Sequence, residues 1–300
     1  MATAPAGLTG LEREERRFAR ILVSPALLIL AVTTTFPLGY LLFGSLYRED
    51  LSSPDGNGFI GLGNYLELLG DPRFWHSLWL SFVYTVASVV SQIVVGMALA
   101  LLVHRIRHGS WLLRIVAILP ILLAPVVVGL VWRTLLLTPN FGIVDYLSET
   151  MGFGSHDWLG EPTSALVFTI IMHTWQWTPF CFLVFLASLA TLPSELTEAA
   201  QLDRASAWNR FWHITFPLLR PAITVVAIIR TVVALSAFDA ILAATGGGPG
   251  TATEILNLYV YRTSFDELRI GYGSALAVVL LLVTFGVAWL FWRLGRRKQS

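Results

Sequence analysis

Four side chains within one long apolar run have the spacing of a single helical face. His173, Gln176, Trp177 and Phe180 stand at i, i+3, i+4 and i+7. Aromatic faces stack on sugar rings, and amide or imidazole groups bond hydroxyls. An aromatic belt at a membrane interface is the competing reading of the same residues. Against the belt, His173, Gln176 and Trp177 lie more than ten positions from the C-terminal end of their run. Pro179 among them removes one backbone donor and leaves an acceptor free. A later apolar run carries Arg230 about 8–10 residues in, so roughly 12–15 Å from its start. An ionisable group so placed is costly and must find partners. Those partners are either backbone carbonyls and a neighbouring helix, or a bound molecule. Asp239, nine residues on, falls on the opposite face and near the end of the run, where it caps or contacts a loop.

Other chemistries lack their residues. No G-x-x-x-x-G-K-[ST] phosphate loop exists, and Lys298 is the sole lysine. The glycines of Gly246-Gly247-Gly248-Pro249-Gly250 read as a chain breaker. His76, His104, His108, His156, His173 and His213 are scattered without metal-ligand spacing. The one cysteine, Cys181, sits in an apolar run and reads as a buried thiol. No nucleophile has a partnered base, so the chain is expected not to be an enzyme.

The elements that hold these residues are set by hydropathy. Of 300 residues, 55% are hydrophobic and 13% charged, against about 25% charged in a soluble domain. The net charge of +1 offers no basic excess for nucleic acid. Apolar runs at about 22–46, 78–103, 112–137, 163–189, 220–244 and 272–294 each approach or exceed the roughly 20 residues that cross a bilayer as a helix. They do not alternate, which excludes barrel strands. The expected fold is therefore all-α and polytopic, with six spans in lipid. The first run follows Arg13, Arg16, Arg17 and Arg20 and lacks an A-x-A site, so it reads as a retained anchor.

Placing the N-terminus inside puts 14 of the 20 basic residues in inside segments, while acids such as Asp55, Asp71, Asp145 and Glu161 collect outside. Both termini are then cytoplasmic. The expected division is a tail at 1–20, a membrane domain at 21–294 and a tail at 295–300. The only sizeable inside feature is the segment 190–219. There Pro193 and Ser194 start a helix over 194–204, a second amphipathic stretch runs to Phe216, and Pro217 breaks it. Two short surface helices would thus offer a grip for a cytosolic partner.

That inside segment resembles the EAA loop of bacterial ATP-binding-cassette importer permeases, patterned E-A-A, three residues, G, nine residues, I-x-L-P. Glu198, Ala199, Ala200, Ile214 and Pro217 match it, and Asp203 is typical of the carbohydrate branch. Arg204 stands where the pattern has glycine and Phe216 where it has leucine. Glycine enters a left-handed backbone without cost, whereas arginine does not. Gly61-Leu62-Gly63-Asn64-Tyr65, Asp71-Pro72, Phe74-Trp75 and Tyr84-Thr85 resemble the first outside loop and second span of maltose- and glycerol-phosphate-type permeases. Thr245–Pro249 and Tyr259–Phe265 resemble their last outside loop. The likeness covers roughly 20–292.

What the resemblance implies is a type I importer permease fold in the bacterial cytoplasmic membrane. It implies a second homologous permease, two ATP-binding-cassette ATPase subunits and an extracytoplasmic solute-binding protein as partners, besides membrane lipid. ATP and magnesium would be held only by the ATPase, and this chain would need no cofactor. Glu198, Ala199, Ala200, Asp203, Arg204, Ala205 and Trp208 would make the ATPase contact. Mapping the maltose-type solute site onto this chain gives His173, Gln176, Trp177 and Phe180, then Arg230, Val233, Ala234 and Ala237. The implied solute is a sugar, oligosaccharide or polyol, with a glycerol-phosphate-type solute as the alternative because Arg230 can meet a phosphate. A secondary transporter independent of ATP is the alternative of a different class. It would call for intramembrane acids or inverted repeats, and the chain offers Asp239 at a membrane edge and no evident repeat.

Overall fold

The structure is a computed structural model that describes residues 10–53, 55–106, 110–193, 195–196, 200, 202 and 204–296. Helix α1 (Gly10–Gly44) leads into a two-residue antiparallel ladder, β1 (Tyr47–Arg48) with β2 (Gly58–Phe59), and then α2 (Gly63–Leu69). The long helices α3 (Pro72–Arg105), α7 (Pro162–Ala190) and α8 (Ala207–Leu235) form the core, and α11 (Ile270–Arg296) closes the chain. Between them lie α4 (Ser110–Ile118), α5 (Pro125–Val131), α6 (Ile143–Thr150), α9 (Asp239–Ala244) and α10 (Leu256–Tyr261). Among the described residues five helices are long and apolar enough to span a membrane, and a bent pair makes a sixth candidate. Helix α1 begins at Gly10, so half of the expected tail continues the first span as helix.

Three expectations about these elements need correction, and proline or π-turn chemistry explains two of them. The run 112–137 is not one straight span: its halves, Trp111–Leu122 and Pro125–Leu136, meet at 98°. Pro125 lacks an N–H and holds the preceding Ala124 extended, at φ −62 and ψ 140, so the helix cannot pass through. Conversely, Pro217 does not break its helix. Ala207–Leu235 is continuous, because a π-turn at Phe211–Thr215 widens the ladder and the Phe216 N–H bonds back to Phe211 O. The run 220–244 ends its helix at Leu235 and restarts at Asp239. Arg230 and Asp239 therefore sit on different helices, and the carboxylate heads the short α9, where the helix dipole favours it.

Burial follows the helix that each residue serves. α3 and α7 approach closely because Gly96 has no side chain: a Cβ there would stand 2.6 Å from Cys181 Cβ and 3.0 Å from the Phe182 nitrogen. Around that contact Met97, Ala100, Phe182, Phe185, Leu219 and Val226 form one core cluster, with Cys181 fully buried in it. α5 and α9 pack as tightly, since a Cβ on Gly129 would meet Ala240 O. On α1 the large side chains point outward instead, Leu22 being 69% and Phe36 73% exposed, as expected of a helix whose neighbour is lipid.

Candidate functional site

The face that the spacing defined on α7 divides in two. His173 and Gln176 are buried, while Trp177 and Phe180 are half-buried. α8 delivers Arg230 to the same place, with 1% of its surface exposed. Its guanidinium carbon lies 4.3 Å from the Trp177 ring centroid, a cation–π contact worth about 2 kcal/mol when desolvated. Arg230 Nε donates to Gln92 Oε1 at 2.7 Å. The Gln92 amide nitrogen stands 3.1 Å from His173 Nδ1 and 3.4 Å from the His173 carbonyl. Gln176 Nε2 donates to Leu123 O at 3.1 Å. That carbonyl lies in the elbow between α4 and α5, where no regular helix can satisfy it. The arginine is thus held by an amide and an aromatic ring, and no carboxylate lies within ion-pair distance of it among the described residues.

The other residues of the mapped solute face disperse. Phe180 packs on the inner core around Phe182. Ala234 is buried and Val233 half-buried on α8. Ala237 lies past the end of α8, against Tyr84, Ile241, Ile255 and Leu258. Sequence reasoning missed the contribution of α3. Tyr84, Ser88 and Gln92 recur every fourth residue on one buried stripe. A glutamine in the middle of an otherwise apolar run is the signal that pointed there.

At the end of the molecule where α3 begins, Glu254 is fully buried and ties three elements together. It accepts from Arg73 Nε at 2.7 Å and Nη2 at 2.8 Å, and from Arg262 Nη1 at 2.8 Å. Arg73 also reaches Glu267 at 2.6 Å, and Arg262 Nη2 donates to Gly246 O. Burial alone would raise the Glu254 pKa; the two guanidiniums outweigh it and hold the carboxyl below its ordinary range. Tyr259 and Tyr272 donate to Asp71 Oδ2 at 2.5 and 2.7 Å. The Gly246–Gly250 segment turns through positive φ at Gly246, Gly247 and Gly250. On α6 Asp145 accepts from Ser155 Oγ, the Asn140 and His156 amides and Trp158 Nε1. The Ser155 hydroxyl first, then those amides, lower its pKa to about 2.

Of the residues expected at the ATPase contact, Glu198, Ala199 and Asp203 lie outside the described residues. Glu195, Leu196, Ala200 and Leu202 are helical, and Ala200 is buried. Arg204, in the glycine position of the resembled pattern, has φ +54, and the Ala205 N–H donates to Ala200 O at 2.9 Å. This is the closing bond of a helix whose terminal turn is left-handed, so the arginine keeps the backbone that glycine would adopt. Leu202 is 85% and Trp208 69% exposed, and Ala205 is half-buried. Trp208 and Trp212 meet edge to face at 5.6 Å. Among the described residues no three His, Cys, Asp or Glu side chains gather as a metal site.

Comparison with known proteins places this architecture. Residues 92–300 match the family model described as binding-protein-dependent transport system inner membrane component. The trehalose transport system permease protein SugA of Mycobacterium tuberculosis is 36% identical over 98% of this chain and 93% of its own. The sulfoquinovosyl glycerol transport system permease protein SmoG of Agrobacterium fabrum is 34% identical over 96% of this chain and 94% of its own. The trehalose/maltose permease protein MalF of Thermococcus litoralis is 31% identical over 97% of both. A chain of a bacterial alginate transporter, solved with an alginate-bound periplasmic protein, superposes with TM-score 0.82 over 97% of each chain at 21% identity, a likeness of fold. With the family model spanning well over half of the chain and the relatives nearly all of it, this multi-pass membrane protein belongs to the inner-membrane permease components of binding-protein-dependent, ATP-binding-cassette transport systems.

Proposed function

We propose that this chain forms one half of the translocation path for a sugar, oligosaccharide or polyol. The observation that carries the reading is likeness along nearly the whole chain to permeases named for trehalose, maltose and sulfoquinovosyl glycerol, all of them carbohydrate solutes. A second, homologous permease completes the path. Two ATPase subunits drive it from the cytoplasm, and an extracytoplasmic binding protein delivers the solute.

The solute meets the half-buried Trp177 and Val233, while His173, Gln176, Ala234 and Arg230 stand behind them and Phe180 and Ala237 serve the packing on either side. The segment 190–219, with Glu198 through Trp208, takes up the ATPase motion. Its exposed Leu202 and Trp208 supply apolar anchors of the kind that dominate protein interfaces. Both termini and this loop face the cytoplasm of a bacterial cell.

The test is uptake of radiolabelled disaccharides and polyols into vesicles holding the assembled complex, with the binding protein outside and ATP inside. Uptake is expected to require both. Uptake driven by an ion gradient without ATP overturns the reading in favour of a secondary transporter.

A further inference from the structure

Three helices bring an arginine to the place where α7 ends. Arg105 is the last residue of α3, Arg114 lies on α4, and Arg210 lies in the first turn of α8. Arg105 and Arg210 line one cavity of about 490 Å³, together with His104, Leu189, Ala190 and Phe211. Arg114 borders a second cavity of about 330 Å³, walled by Ile118, Leu183, Leu186 and Ala187. His104 and Ala190 line both, so the two adjoin along the end of α7.

Neither wall contains an acid. None of the ion pairs among the described residues uses Arg105, Arg114 or Arg210. The helix ends change this charge balance only in part. The carbonyl ends of α3 and α7 add about half a negative charge each, and the start of α8 about half a positive one. Three guanidiniums outweigh them. Arg210, in a first turn, also stands against the dipole of its own helix. A bound anion offsets that cost.

The two cavities differ in kind. The first presents guanidiniums, which grip phosphate oxygens in pairs. The second presents aliphatic side chains and borders the exposed Leu183 of α7. A free phosphate would use only the first. A phospholipid uses both, with its phosphate in one and an acyl chain along the other. Basic pockets between membrane helices take lipid headgroups in this way, and the ends of apolar spans stand at headgroup level.

We propose that His104, Arg105, Arg114 and Arg210 form a binding site for one anionic phospholipid, with the phosphate on the guanidiniums and an acyl chain along Leu183, Leu186 and Ala187. The site shares no residue with the solute face of α7 and α8, and it holds whether or not the solute is a carbohydrate.

The test uses the complex of this chain with its partner permease and ATPases in a neutral detergent. Short-chain phosphatidylglycerol, phosphatidylcholine of the same chain length and inorganic phosphate are titrated separately, and the unfolding temperature is read. Phosphatidylglycerol is expected to raise it saturably, at lower concentration than either of the others. Arg105→Gln and Arg210→Gln each remove a charged donor, so half-saturation is expected to climb about tenfold. Arg220→Gln removes the same charge from α8 outside both cavities and is expected to leave half-saturation unchanged. Ala187→Phe fills the second cavity from an exposed position and is expected to weaken phosphatidylglycerol severalfold.

The proposal is overturned if phosphatidylglycerol acts no better than phosphatidylcholine, or if inorganic phosphate matches it, the ligand then being a free anion. It is overturned equally if Arg220→Gln weakens the effect as much as Arg210→Gln, or if Ala187→Phe leaves it unchanged. Loss of the ATPases from the Arg210→Gln complex would make the first cavity a protein contact and would also overturn it.

Discussion

Gln92 is the residue on which the interior cluster turns. It faces Arg230 with its oxygen and His173 with its nitrogen, so its loss strands two buried groups at once. Gln92→Leu is expected to destabilise the assembled complex by about 1–3 kcal/mol, the cost of leaving a buried donor without its acceptor. Gln92→Glu keeps an acceptor for Arg230 and loses the donor to His173, so its cost should be smaller. Thermal unfolding of the two variants side by side checks the order.

Asp145 and Glu254 give the pH dependence. Both carboxyls sit below their ordinary values in the folded protein, Asp145 at about 2. Their stabilisation is therefore complete above the unfolded carboxylate range near pH 4, and it is lost as pH falls through the lower, folded values. Resistance of the 138–162 loop to pepsin is expected to decline from pH 4 toward pH 2. In Asp145→Asn that loop should be cut throughout the range.

At the scale of elements, Arg204 offers a clean test of the left-handed turn. A non-glycine residue at φ +54 carries a strain of about 1–2 kcal/mol. Arg204→Gly should therefore raise stability by up to about 1 kcal/mol, and Arg204→Val should lower it. Gly96→Ala places a methyl 2.6 Å from Cys181 Cβ and is expected to cost about 1–3 kcal/mol as α3 and α7 are forced apart.

The elements also mark where sequence reading succeeded and where it stopped. Six apolar runs were legible because lipid demands length and hydropathy, which a sequence displays directly. The elbow at Leu123–Pro125 and the break after Leu235 were not, since a run that is apolar throughout hides a change of direction. Pro217 misled in the opposite sense, because the π-turn that absorbs it has no sequence mark of its own. In the interior cluster, the α7 face and Arg230 were visible as polar groups in apolar runs. The α3 stripe of Tyr84, Ser88 and Gln92 carries the same mark, but which helix packs against which is tertiary information.

For the whole molecule, the division of labour runs along the long helices. An ion-paired end joins Arg73, Glu254 and Arg262, the polar cluster occupies the middle, and Leu202 and Trp208 are exposed at the other end. The topology behind that axis predicts that single cysteines at positions 155 and 250, in a Cys181→Ala background, react with an impermeant reagent in intact cells. A cysteine at 206 should not. Reaction at 206 would invert the chain.

The central claim is that the 190–219 segment passes the ATPase cycle to the path, and transport by the assembled complex carrying Glu198→Lys tests it most directly. ATP-dependent solute uptake and solute-stimulated ATP hydrolysis are measured together, with subunit assembly checked on the same preparation. The account predicts that both fall at least about tenfold, the effect of losing an interface contact of roughly 1.4 kcal/mol or more, while the chain remains inserted and assembled. Uptake at the wild-type rate by the assembled variant would contradict it.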